Sequence, residues 1–223
     1  AAAFWLLIMG TQALGKVLFT ANEQYIIRHM EIESDGKQVT ARRLKDWANL
    51  HEGMNLFAVD IDQVRQRLES MVPVIKQVTI RRQLPDTLAI RVIERQALAR
   101  LSTAENQIPL AIDSEGYVLG PTSIAPTLPL IEGYRVAGLR PGGFVDSPEM
   151  RSALTLLNLC DTTPIGQHLR IRKVNVAHPD HLDISLDNGT RVLLAGPDTP
   201  NRLRKVAATF QTAIRQGLYP VAI

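Results

Sequence analysis

Cysteine is nearly missing from this sequence: Cys160 is the single one in 223 residues. That excludes an intramolecular disulfide and any zinc site built from several thiolates. Aromatic residues make up only 5% of the chain, too few to interleave with basic positions as a stacking platform for single-stranded nucleic acid. No sign of charge dominates, since 25 Lys and Arg stand against 22 Asp and Glu for a formal net of +3. A slight excess of that kind does not make the concentrated cationic face of a nucleic-acid binder. The phosphate-loop, dinucleotide-loop, zinc-hydrolase and serine-hydrolase signatures G-x-x-x-x-G-K-S/T, G-x-G-x-x-G, H-E-x-x-H and G-x-S-x-G do not occur, and there is no internal repeat. What remains is an ordinary globular composition, 45% hydrophobic and 21% charged, with 14 Gly and 13 Pro. Its length suits one large domain or two small ones.

The first stretch is unlike the rest. Residues 1–10 carry no polar side chain, and Ala13, Leu14, Val17, Leu18 and Phe19 continue the apolar character. A spanning helix needs about 20 mostly apolar residues; here Thr11, Gln12 and Lys16 interrupt the run, and no basic flank precedes it. We read residues 1–21 as a transmembrane helix clipped at its N-terminal side, with Phe4, Trp5, Leu6, Leu7, Ile8 and Met9 in lipid. The competing readings are a signal peptide, with cleavage permitted near Thr20, Ala21 and Asn22, and an ordinary buried helix. A secreted soluble module would require that cleavage.

From Tyr25 the pattern is that of a small mixed domain. Met30, Ile32 and Ser34 alternate with polar neighbours as a strand ending at Asp35 and Gly36. Thr40 is placed to cap a helix carrying Leu44, Trp47, Ala48 and His51, which Glu52 and Gly53 stop. Asp60, with Gln63 at the capping-box position, opens a second helix with Ile61, Val64, Leu68 and Met71 on one face, ended by Pro73. Val74, Lys76, Val78 and Ile80 begin a strand that turns at Leu84 to Thr87 into another, which buries Leu88, Ile90 and Val92. Strand, helix, helix, strand, strand predicts two helices on one face of a three-stranded sheet.

Residues 95–101 lead into a differently built region. Leu110 and Ile112, the turn at Asp113 to Gly116, and Val118 with Leu119 predict a hairpin. Gly120 to Pro129 is a Pro-rich loop, and Leu128, Leu130 and Ile131 return to the core. Ser147 and Pro148 start a helix with Met150, Leu154 and Leu157 as its stripe. Ile171, Val174 and Val176 suggest a strand, and Leu182, Ile184 and Leu186 a clearer one. Asp187, Asn188 and Gly189 then turn the chain into Arg191–Ala195. A last helix, capped at Thr199 and Pro200, carries Leu203, Val206, Phe210 and Ile214, and Pro220 to Ile223 opens one more strand.

Few residues suggest chemistry. His178, His181 and Asp183 form the densest cluster and would suit zinc in a metal-dependent hydrolase; a solvated loop is the plain alternative. Cys160 follows three leucines and reads as a small buried hydrophobe. Asp60 and Asp62 could pair as carboxylates, although capping accounts for Asp60. Arg81, Arg82, Arg91, Arg95 and Arg100 make a basic strip, which is a solvated strand face or a site for an anionic partner. No cofactor is implied.

The run from Gly53 through Asp60, then Val64 and Leu68, then Pro73 through Ala99 with Arg81, Arg82, Leu84, Pro85, Asp86, Thr87, Glu94 and Arg95, closely resembles the extracytoplasmic part of the FtsQ/DivIB family of bacterial cell-division proteins. Asp113 and Gly116, Leu128 to Gly133, Asn188 with Gly189, and the basic helix from Arg202 to Arg215 agree in order and spacing. Val74 stands where many members carry Trp. The resemblance implies an α+β chain: a membrane span in 1–21, a POTRA domain in 25–94, and in 95–223 a mainly antiparallel β domain with flanking helices, whose final strands continue past Ile223. It implies a non-catalytic, single-pass scaffold of the inner (plasma) membrane, its bulk periplasmic or extracytoplasmic at the septum. The C-terminal β edge would accept a strand from FtsB, together with FtsL, and the POTRA domain would contact other division proteins. On that basis the partner edge is Pro220, Val221, Ala222 and Ile223, flanked by Arg204, Gln211 and Arg215. A POTRA-bearing component of outer-membrane protein assembly or secretion is the rival, and it predicts tandem POTRA repeats or a downstream barrel.

Overall fold

The computed structural model describes residues 22–102, 108–121, 127–136, 138–163 and 170–195, together with Thr212. The chain divides between Arg95 and Gln96 into two units, each with its own hydrophobic core.

In the first unit a short 3-10 turn, Glu23–Tyr25, leads to β1 (His29–Ser34). Helix α1 (Ala41–Ala48) starts where the Thr40 hydroxyl accepts the Arg43 N–H, and stops at Asn49, whose φ of 53° cannot continue a right-handed helix. His51, expected at helical spacing, therefore lies beyond it. Helix α2 (Ile61–Met71) opens where Asp60 Oδ1 accepts the Gln63 N–H at 3.0 Å, and buries Val64 and Leu68. Met71, expected on the same stripe, is 71% exposed; Val72, in extended conformation, takes the core place instead.

Strands β2 (Ile75–Gln83) and β3 (Thr87–Glu94) complete a sheet of order β1-β3-β2, with β1 parallel and β2 antiparallel to the central β3. This is the β-α-α-β-β arrangement the periodicity predicts. One detail differs. A register shift between Ile75 and Gln77 resets the alternation, so Ile75, Val78 and Ile80 point inward while Val74 is only half-buried. Leu88, Ile90 and Val92 are buried as expected, each contributing on the order of 2 kcal/mol of transfer free energy.

The second unit is a seven-stranded sheet of order β10-β9-β8-β7-β4-β5-β6. Its strands are β4 (Ala97–Leu101), β5 (Leu110–Asp113), β6 (Val118–Pro121), β7 (Leu130–Glu132), β8 (Ile171–Asn175), β9 (His181–Leu186) and β10 (Arg191–Ala195). Most pairs are antiparallel, as expected, but β7 runs parallel to both β4 and β8 at the centre. Residues 97–101, read from sequence only as a lead-in, are a strand inside the sheet. The stretch is short and loses its alternation at a bulge between Ala97 and Ala99. Pro121 likewise closes β6 rather than lying in loop, and Leu130 and Ile131 enter the core as part of a strand.

Helix α3 (Pro148–Thr162) is capped by Ser147, with Pro148 in its first turn, and buries Met150, Leu154 and Leu157. Those side chains share one core with the row Leu101, Ile131, Val174, Ile184 and Val192. The β9–β10 hairpin turns through Asp187, Asn188 and Gly189. At φ 86° Gly189 supplies the left-handed residue of the bulge.

The apolar run of 1–21, including Phe4 through Met9, and the candidate partner residues Arg204, Gln211, Arg215 and Pro220 to Ile223 lie outside the described residues. Among the described residues no helix is long and apolar enough to cross a membrane.

Candidate functional site

The seven-stranded sheet has two terminal strands, and the chain treats them differently. Along the outer side of β6, the segment Gly142–Val145 makes a partial further ladder. Val118 donates to the Gly143 carbonyl at 2.9 Å and accepts from the Gly142 N–H at 2.8 Å, and Val145 donates to Gly116 at 2.9 Å. Tyr117 and Phe144 bridge across it, their ring centroids 4.9 Å apart. Gly116 makes the approach possible: at φ 99° a Cβ there would lie 2.5 Å from the Val145 carbonyl oxygen. Self-covering of this kind protects a sheet edge from foreign strands.

Strand β10 is terminal on the other side. Leu186 donates to the Thr190 carbonyl at 2.9 Å. The alternation of an antiparallel ladder then makes Ile184 with Val192, and Leu182 with Leu194, the hydrogen-bonded pairs. The backbone polar groups of Arg191 and Leu193 therefore point away from β9, and the Leu193 side chain is 53% exposed. Among the described residues no strand covers this edge.

The sheet face opposite α3 is polar beside that edge. Strand register aligns Arg100, Leu130, Lys173, Ser185 and Arg191 in one row, and Glu132, Asn175, Asp183 and Leu193 in the next. Diagonal ion pairs join the rows: Lys173 meets Glu132 at 2.9 Å, and Arg191 grips both Asp183 oxygens. The hydrogen bond from Arg191 holds the Asp183 carboxyl below the ordinary value of 3.8, against the opposing effect of burial.

That pairing decides the His178, His181 and Asp183 cluster. The two imidazoles stack with centroids 4.6 Å apart, but Asp183 is committed to Arg191, and His181 opens β9 instead of sitting in a loop. Among the described residues no three His, Cys, Asp or Glu side chains are grouped so as to hold a metal ion. The metal-hydrolase reading fails on this geometry. Cys160 packs against the second core, where burial pushes its thiol up to about 11, away from nucleophilic use. Asp60 is a helix cap, and Asp62 pairs with Arg65 at 2.7 Å.

The expected basic strip is not a single surface. Arg82 Nε donates to the Leu56 carbonyl and a terminal nitrogen to the Val59 carbonyl, each at 2.7 Å, and its guanidinium lies over Phe57. Arg100 donates to the Leu128 carbonyl and belongs to the second unit, while Arg81 and Arg91 stay exposed in the first.

Sequence reasoning missed Glu94. It continues the inward row of β3 and is 4% exposed. Its carboxylate accepts from Ser34 Oγ at 2.7 Å, Val39 N at 2.9 Å and Gln38 N at 3.0 Å, tying the β1–α1 loop to the end of the sheet. Its own N–H donates to Asp35 Oδ1 at 2.7 Å. The only sequence signal was the parity of position 94 with Leu88, Ile90 and Val92.

The strand order and pairing of the first unit define a POTRA-type domain, followed by a mixed-sheet domain with one terminal strand covered by its own chain. Residues 26–95 match the family described as POTRA domain, FtsQ-type, and residues 99–222 the family described as cell division protein FtsQ/DivIB, C-terminal. The chain belongs to the FtsQ/DivIB cell-division family. Similar proteins include a cell division protein FtsQ of Syntrophotalea carbinolica, 27% identical over 184 residues that cover 81% of this chain and 59% of that protein. Cell division protein DivIB of Clostridium acetobutylicum is 26% identical over 182 residues, covering 80% of this chain and 71% of its own. A Bordetella pertussis cell division protein FtsQ is 46% identical over 56 residues, 25% of this chain and 19% of that one. The chain thus spans about three-fifths of the first of these relatives.

Proposed function

We propose that this protein is a non-catalytic, membrane-anchored scaffold of the bacterial division machinery, linking division proteins by contacts and strand addition during septum formation. In this reading residues 1–21 form a single span of the inner (plasma) membrane, with Phe4 through Met9 in lipid. Residues 25–94 form the POTRA domain and 95–223 the β domain, both extracytoplasmic at the septum. The observation that carries it is the asymmetry of the sheet edges in a chain of this family: β6 is covered by Gly142–Val145, and β10 presents outward backbone groups. An added extended segment completes such a ladder, and main-chain bonds give it affinity while side-chain pockets give it selectivity. The docking strand in this reading is Pro220, Val221, Ala222 and Ile223, flanked by Arg204, Gln211 and Arg215. The partners would be FtsB and FtsL homologues, with other division proteins on the POTRA domain.

Co-purification of the full-length protein with FtsB and FtsL homologues of the same cell tests this. Val221→Pro removes one backbone donor from the docking strand and should lower retention at least about tenfold. Equal retention by a variant that unfolds like the parent protein would overturn strand addition at this place.

A further inference from the structure

One end of the first unit is built around the point where the chain enters it. Tyr25 accepts from the Leu56 N–H at 2.8 Å, Ile27 donates to Met54 at 2.8 Å, and Asn55 Nδ2 donates to the Asn22 carbonyl at 3.2 Å. The Tyr25 ring meets Phe57 edge-on, with centroids 5.0 Å apart. The tip of the β2–β3 hairpin is tied to the same end. The Asp86 carbonyl accepts from the N–H groups of Arg28 and His29, and Arg82 reaches the carbonyls of Leu56 and Val59. Residues 22–28, the loop 53–59 and the hairpin tip are therefore bonded to one another.

Two features of this end are unexplained by the fold. Leu84, at the apex beside exposed Pro85, is 62% exposed, whereas Leu88 four residues further on is fully buried. Arg28, which donates its N–H to the Asp86 carbonyl, and Arg81, opposite Ala89 in the hairpin, are exposed at the same end of the sheet. The acidic groups of this end are Glu52, paired with Lys45 at 3.3 Å, Asp60 at the start of α2, Asp86 in the tip, which accepts from Thr87 Oγ1 at 3.2 Å, and exposed Glu23. An apolar apex flanked by arginines is the arrangement of a segment that lies in a bilayer interface, with its apolar part in the acyl boundary and its cations among headgroups.

Chain length supplies the proximity. The apolar run ends at Phe19, three residues before Asn22 is held in the domain. Three residues reach at most about 10 Å, while the headgroup layer is roughly 6 Å deep on each side. We propose that the hairpin tip, Leu84 and Pro85 with Arg28 and Arg81, is a second membrane contact that lays this end of the POTRA domain on an anionic phospholipid surface. The inference rests on the reading of residues 1–21 as a membrane span.

The test uses full-length protein in vesicles of phosphatidylethanolamine and phosphatidylglycerol. In a Cys160→Ser background, Leu84→Cys and, separately, Lys37→Cys carry an environment-sensitive fluorophore. Lys37 is exposed at the opposite end of the same sheet, beyond β1. Brominated lipid should quench the label at position 84 at least about threefold more than at position 37, with a blue-shifted emission, and anionic lipid should strengthen the difference. Equal quenching in protein that floats with the vesicles overturns the hairpin contact and leaves the span standing. Failure to float overturns the span and the contact with it. A label shielded in detergent and insensitive to brominated lipid would mark a protein neighbour and overturn the lipid assignment.

Discussion

Replacing Glu94 with Ala removes the carboxylate that ties Ser34, Gln38 and Val39 to the end of the sheet. Three donors lose their acceptor, and they do not lose equally. Val39 is 5% exposed, so its N–H is left without water, whereas Gln38 is exposed and can be rehydrated. An unsatisfied buried amide costs about 1–3 kcal/mol and a lost bond to a charged group about as much, so we expect roughly 3–4 kcal/mol for the Ala variant. Glu94→Gln keeps an oxygen for Ser34 and Val39 but turns an amide group toward the Gln38 N–H, and should cost about 1–2 kcal/mol. Urea unfolding followed by Trp47 emission reports on this unit; the other tryptophan is Trp5, replaced by Phe in every sample. With a slope near 1 kcal/mol/M for a domain of this size, the midpoint should fall by about 3 M for Ala and about 1 M for Gln. A shift below about 0.5 M for Ala at unchanged slope, or Ala no worse than Gln, would refute the latch.

Two further outcomes follow from the second unit. Arg191→Met leaves Asp183 buried without its cation; because Arg191 holds that carboxyl low, the pairing stabilises the fold above the ordinary Asp value and is lost as pH falls through the lowered one. Thermal melts should therefore show the variant's deficit near pH 7 and its closing as pH falls below the ordinary Asp value, and a deficit that widens with acid would contradict the assignment. Gly116→Ala, at φ 99° and against the Val145 carbonyl, should cost about 1–3 kcal/mol and release Gly142–Val145 from the β6 edge. Faster amide exchange at Val118 and Val145 than in the parent chain is the expected signature, and unchanged protection there would remove that segment's role as an edge cover.

Local signals carried the first unit far. Thr40 and Asp60 cap the helices they were expected to cap, because a side-chain oxygen three residues before an orphan N–H needs no tertiary help. Leu88, Ile90 and Val92 face inward because β3 is central and regular. Where tertiary structure intervened, the reading slipped: the bulge at Ile75 broke the alternation, and Asn49 ended α1 before His51. In the second unit β7 has three residues and β4 five with a bulge. Strands that short hold too few residues for period two to stand out, and their pairing comes from neighbours far along the chain. Asp183 looked like a candidate ligand because its partner Arg191 lies across a hairpin, visible only once the register is known.

The sheet edges are where sequence gives least and topology most. A strand's composition does not say whether it is central or terminal: Arg191–Ala195 and Thr87–Glu94 are both regular, yet among the described residues one ends a sheet and the other is its middle. Nor does composition reveal that Gly142–Val145 supplies bonds along the outer side of Val118 and Gly116. The covered edge constrains function more than the open one does. With Val118 and Gly116 bonded to Gly142–Val145, an added strand on that side must first displace three hydrogen bonds and the Tyr117–Phe144 contact, whereas among the described residues no strand covers the outward backbone groups of β10. Each displaced bond is worth about 0.5–1.5 kcal/mol net, so entry at the β6 edge costs about 1.5–4.5 kcal/mol, or one to three decades in affinity, before any side chain of a partner is considered. Gly142–Val145 thus opposes sheet growth at the β6 edge, and under the proposed strand addition a variant that frees β6 should gain binding of an extended segment on that side.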